Sequence, residues 1–140
     1  MSSVSFASEQ TDFIVSNQEN LTNWFIEVCK CEGKTLGDLA YIFCSDDYLL
    51  GMNKQFLSHD YYTDVITFDY TDTETTSGDV FISIDRVREN AETASQTIDN
   101  EIHRVMVHGL LHLLGYADKS PTEKTLMTSK EDFYLSLRAF

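Results

Sequence analysis

The stretch VHGLLHLLGYADK, residues 107–119, sets two histidines four apart in a run of leucines and valines, then adds a glycine and an aspartate. On a helix, His108 and His112 fall about 40° apart and one turn from each other, on one line along the axis. Ile102, Val105, Met106, Gly109 and Leu113 share one side, while Val107, Leu110 and Leu114 are apolar too. A helix apolar nearly all round is enclosed by protein, so a central helix beginning near Asp99 is expected. Gly115 is placed to leave that helix with positive φ. A turn at Tyr116–Ala117 then folds Asp118 back towards the histidine pair.

Imidazoles at i and i+4 can aim two nitrogens at one cation, about 2.0–2.1 Å from each. With Asp118 as third ligand, a tetrahedral ion keeps one position open, as in catalytic zinc sites. The same spacing also serves two core histidines satisfied by backbone carbonyls or by Glu101, which lies on their stripe with Arg104. Position 109 is glycine, where the helical H-E-x-x-H of zinc peptidases carries its general base, so peptidase chemistry is disfavoured. Asp64 and Asp79, at strand ends, read as turn and cap groups. His103, about 140° round the helix from His108, reads as exposed.

Working outward, 140 residues make one domain, 1–140, with a real core. No basic-then-apolar leader is present, and no apolar run reaches the roughly 18 residues of a membrane span. A cytoplasmic protein with no membrane partner is expected. Cys29 and Cys31 lie about 200° apart on a helix and cannot easily grip one ion; with Cys44 they read as reduced, partly buried thiols. The net charge is −13, from 23 acids against 10 bases. Such a field repels polyanions at long range and counts against a general nucleic-acid binder, while leaving room for a local metal-centred site.

The first apolar groups, 4–6 and 13–15, suit a short strand or an irregular start. Leu21, Trp24, Phe25 and Val28 recur at helical spacing between Ser16 and Glu32, and Gly33 ends the run. LAYIFCS, 39–45, is strand-like. Ser45 or Asp46 then caps a helix carrying Tyr48, Leu49, Met52 and Phe56. DVITFDY, 64–70, and DVFISI, 79–84, are strands joined by the polar 71–78 as a loop or hairpin connection. A helix over 85–94, the histidine helix and a last helix over 122–138 complete the chain, with Pro121 suited to a first turn. No steady βαβ alternation appears. The expected class is α+β, a small mixed sheet of about four strands packed with about five helices.

HGLLHLLGY, 108–116, closely resembles the H-G-x-L-H-L-x-G-Y-D-H motif of the YbeY family. Asn53 and Phe56 resemble its L-N-x-x-F segment, and Thr63–Asp64–Val65 with Thr67–Phe68 its T-D-V-L-S-F. Gly78–Asp79–Val80 is similar to its G-D-I strand, and Met127 with Glu131 to its M-x-x-x-E. These blocks run in order over about residues 45–135. The resemblance implies zincin-like helix placement and one zinc ion on His108, His112 and position 118. It also implies a single-strand-specific endoribonuclease acting on ribosomal RNA or a pre-ribosomal particle.

Two departures stand out. Asp118 takes the place of the motif's third histidine; a carboxylate lowers the charge of ion plus ligands by one, acidifies bound water less and favours harder metals. Leu57 stands where the family often has arginine, whose planar fork pairs two phosphate oxygens. His59, at the family's lysine position, becomes the catalytic candidate through a weaker, pH-dependent phosphate contact, with a plain surface histidine as the alternative, and Thr67 or a carboxylate near the cleft is expected to orient water. The alternative is a zinc-stabilised ribosome-assembly factor without catalysis, its acidic surface suited to a basic ribosomal protein. A hydrolase of peptides or small esters is a third reading, weakened by Gly109.

Overall fold

The computed structural model describes residues 2–140. The chain runs β1 (Ser3–Glu9), α1 (Gln18–Cys31), β2 (Thr35–Cys44), α2 (Asp46–Leu57), β3 (Val65–Asp69), β4 (Thr75–Ser83), α3 (Ile84–Thr93), α4 (Ile98–Leu113) and α5 (Pro121–Ser136). The strands form one sheet in the order β1-β2-β4-β3. β1, β2 and β4 are parallel, and β3 lies antiparallel to β4 at the edge. This is the mixed sheet and the α+β class expected.

Alternation fixes the two faces of the sheet. Leu39, Tyr41 and Phe43 of β2, with Val80 and Ile82 of β4, meet Trp24, Phe25 and Val28 of α1 and Ile102, Met106 and Leu110 of α4 in the main core. The fully buried Tyr41 hydroxyl donates to the Met106 carbonyl at 2.8 Å. On the opposite face Cys44 and Ile66, with Phe68 and Phe81 beside them, pack on Leu49, Tyr48 and Met52 of α2. Helix starts are set locally: Ser45, Ser83, Thr97 and Ser120 each accept a backbone N–H at an N-cap, and Ser120 with Glu123 forms a capping box.

The structure departs from the expected elements in three places. β4 begins at Thr75 and β2 at Thr35, four residues earlier than their apolar runs, and their register shifts between Leu36 and Leu39. The polar 75–78 segment is strand because its backbone pairs with β2. Gly78 is needed there, since a Cβ would lie 2.6 Å from the Phe68 carbonyl oxygen and 2.7 Å from Leu113. His103, expected to be exposed, is only 8% exposed. α4 is enclosed on that side too, by Trp24, by Phe140 and by Arg138, which donates to His103 Nδ1 at 2.8 Å. Of the free thiols Cys29 and Cys44 are buried, but Cys31 is exposed. Among the described residues no helix is long and apolar enough to cross a membrane.

One contact seats α4. A Cβ at Gly109 would lie 2.6 Å from Val80 Cγ1 and 3.6 Å from Thr67 Cγ2. The helix backbone therefore lies directly against β4 beside β3, and this sets how far His108 and His112 stand from the sheet edge. It also explains the missing glutamate: no side chain fits there without displacing Val80.

Candidate metal centre

α4 ends in a Schellman motif. The Tyr116 N–H donates to the Leu111 carbonyl and the Gly115 N–H to that of His112, both at 3.0 Å, with Gly115 at φ 106°. The reversal brings Asp118 back over the helix end. His108 Nε2 and His112 Nε2 lie 3.0 Å apart, and Asp118 Oδ2 is 3.2 Å from the first and 3.4 Å from the second. These three groups can hold a metal ion.

The remaining ring nitrogens show why a cation fits. His108 Nδ1 lies 2.5 Å from Glu131 Oε2, and His112 Nδ1 lies 2.9 Å from the Tyr116 carbonyl oxygen. Both partners are acceptors, so each neutral imidazole keeps its proton on Nδ1 and turns a lone pair outward from Nε2. Two lone pairs and a carboxylate oxygen then converge on one point and repel one another until a cation lies between them. The separations match a tetrahedron of ligands about 2.0–2.1 Å from its centre, whose edges are about 3.3 Å.

Each support is itself held. Glu131 is 7% exposed and accepts from Arg104 at 2.9 Å, while Arg104 also donates to Asp132 at 2.6 Å. Burial works against the His108 cation, but the Glu131 hydrogen bond and charge, with Asp118, outweigh it and raise the imidazole above its ordinary range. On the other side the Tyr116 hydroxyl donates to Glu32 Oε1 at 2.6 Å, and Glu32 also accepts from Tyr134 and from Lys130. Burial would raise the Glu32 carboxyl; the donors Tyr116, Tyr134 and Lys130 more than offset it and hold the group below the usual carboxylate range.

The three converging groups open into a cleft of about 340 Å³ whose walls include Leu57, His59, Tyr61, Asp64, Thr67 and Lys119. His59 thus lines the same cleft, its Nδ1 2.9 Å from the Tyr61 hydroxyl. Leu57 lines the wall in place of the family's arginine, and among the described residues Lys119 is the one lysine or arginine lining the cleft. Glu101 is buried at 8% exposure, yet both Nδ1 atoms are taken by other partners, so it holds neither imidazole. Burial, with Asp64 and Glu131 nearby, raises its carboxyl despite Arg104. Glu131 has the role considered for Glu101, and the signal for it was the Met127–Glu131 spacing: Met127 is buried at 2%, one turn before it on the same face of α5. Glu32 carried no sequence signal, being 84 residues from Tyr116.

Fold and site together define an α+β protein with two candidate metal ligands on one buried helix, a third on the turn after it, and an open cleft beside them. The family model described as endoribonuclease YbeY matches residues 4–138. The chain belongs to the endoribonuclease YbeY family. It is 48% identical to endoribonuclease YbeY of Phocaeicola vulgatus, over 96% of this chain and 97% of that protein. To that of Cytophaga hutchinsonii it is 49% identical, over 96% and 95%. A Thermotoga maritima protein solved in solution shares the fold with a TM-score of 0.67 and 27% identity, over 96% of this chain and 87% of that one.

Proposed function

We propose that this chain is a zinc-dependent endoribonuclease that cuts single-stranded segments of ribosomal RNA, free or in a pre-ribosomal particle, during maturation. Family membership supports the nuclease activity, and the ribosomal substrate follows from the resemblance in the motifs. The observation that carries the site is the convergence of His108, His112 and Asp118 with both Nδ1 protons already engaged. A bound ion supplies Lewis acidity towards a phosphoryl oxygen and makes water more acidic near neutral pH.

The chain's own groups do the rest. Glu131 and the Tyr116 carbonyl fix ring orientation and tautomer, which raises imidazole basicity. Asp118 adds negative charge that tempers the ion. Thr67 and Asp64 stand in the cleft wall where the attacking water is oriented. Lys119 takes the phosphate contact that Leu57 cannot make, as a point charge rather than a fork. His59 keeps Nε2 for the phosphate while Nδ1 meets Tyr61.

The net charge of −13 favours a second role, docking on a basic ribosomal protein that carries the enzyme to its RNA. The test is metal analysis of purified wild type beside Asp118→Ala, with cleavage of a single-stranded rRNA oligonucleotide. About one zinc per wild-type chain is expected, with metal and cleavage both lost in the variant. A zinc-loaded wild type that leaves the oligonucleotide intact overturns the nuclease reading. Ribosome maturation rescued by a metal-free His108→Ala chain supports the assembly role instead.

A further inference from the structure

We infer that residues 58–63, between α2 and β3, form a nucleobase-stacking platform, with Tyr61 and His59 receiving the base of an unpaired nucleotide beside the metal centre. The inference rests on the endoribonuclease reading and names the part of the substrate this wall recognises. The Tyr61 and His59 rings stack with centroids 5.1 Å apart and planes 20° apart, and the Tyr61 hydroxyl meets His59 Nδ1 at 2.9 Å. The loop beneath them is tied down. Asn53, 1% exposed, donates through Nδ2 to the Tyr61 carbonyl at 2.8 Å, and its own carbonyl accepts the His59 N–H at 3.0 Å.

Tyr61 nevertheless remains 55% exposed. A ring so fixed and so open contributes little to the core, and Tyr61 lines the cleft that holds His108, His112 and Asp118. Charge points the same way. Neutralisation of phosphates normally dominates nucleic-acid affinity, but here the net charge is −13 and, among the described residues, Lys119 is the cleft's one lysine or arginine. Stacking needs no net charge and tolerates any base, because every base has a π face. It also requires that face to be free, which a paired and stacked duplex denies. The platform therefore selects single strands by chemistry rather than by shape.

The test walks one abasic nucleotide along a short single-stranded rRNA oligonucleotide, reading both KM and binding by fluorescence anisotropy. For wild type, the abasic substitution at one position weakens both by about tenfold or more, the range for losing one base–aromatic stack. Tyr61→Ala weakens the intact oligonucleotide by a similar factor and flattens the positional profile, while Tyr61→Phe, which keeps the ring and loses only the hydroxyl that meets His59 Nδ1, keeps the positional step. Tyr61→Leu, which keeps bulk without π character, behaves like Tyr61→Ala and guards against an effect of lost volume alone. A flat abasic profile in wild type overturns the platform, as does a positional step that survives intact in Tyr61→Ala and Tyr61→Leu. A Tyr61-dependent step in binding with no cleavage by wild type keeps the platform and sinks the nuclease reading.

Discussion

The two ends of α4 carry the same side chain in opposite states. Near its start, His103 lies among Trp24, Phe140 and Arg138; burial first, and the Arg138 charge second, push its pKa down to about 4. Near its end, His108 is also largely enclosed, yet the Glu131 carboxylate draws its pKa upward. Helix, residue type and enclosure are shared, so none of them decides the chemistry. What decides it is the group facing Nδ1: a guanidinium forces a histidine to accept there, whereas a carboxylate leaves it a donor at that nitrogen with a lone pair free at the other.

The largest expected effect breaks the metal end. On the proposed function, His112→Ala removes one of three candidate donors, and loss of the ion's several kcal/mol of transition-state stabilisation lowers cleavage by on the order of a thousandfold. Circular dichroism should show the fold retained, because the imidazole of His112 stands at the cleft rather than in the main core. Unfolding on removal of this side chain means instead that the ion holds the protein together.

A smaller effect isolates the carboxylate. Glu131→Gln keeps the shape of the side chain but not its charge, and on the proposed function the affinity for added zinc, measured by chelator competition, should fall about 10–100-fold. Unchanged affinity means that the negative charge behind His108 Nδ1 does not control that imidazole, and the contrast between the two ends loses its cause.

The smallest effect belongs to the buried end. His103 binds a proton less readily folded, at about 4, than at its ordinary 6.5, so unfolding takes up a proton between those values. Its contribution is intact above pH 6.5 and drains away as pH falls towards 4, by an amount on the order of 2–3 kcal/mol. His103→Gln can still accept from Arg138 and does not titrate. Urea melts across this window should show a shallower pH dependence of stability in that variant than in wild type; equal slopes argue against a buried neutral His103.

Legibility in the sequence followed how local the cause was. A cap at Ser45 or Asp46, which the fold places on Ser45, the all-round apolar α4 and the reversal at Gly115 were readable because neighbours within one or two turns determine them. The early starts of β2 and β4 were not, since Thr75–Gly78 is held by pairing across the sheet and carries little apolar signal. The same division runs through the site. His108, His112 and Asp118 sit within eleven residues and announced themselves by spacing, and His59 came from its place in the family motif. Glu131 and Glu32 act from other helices, and His103 was misplaced because its cover includes Arg138 and Phe140 at the far end of the chain.

Glu32 follows the last residue of α1, and its single carboxylate is shared by Tyr116, Tyr134 and Lys130. The segment 108–118, cut out as a synthetic peptide, would keep every donor atom and lose the scaffolding that aims them. Grafting the motif into another helix would meet the same difficulty: without an acid to anchor the tyrosine and a second acid behind the first imidazole, the rings swing freely and chelation weakens. The transplantable unit is therefore a spatial cluster gathered from both halves of the chain, and a designer would have to move six side chains rather than three.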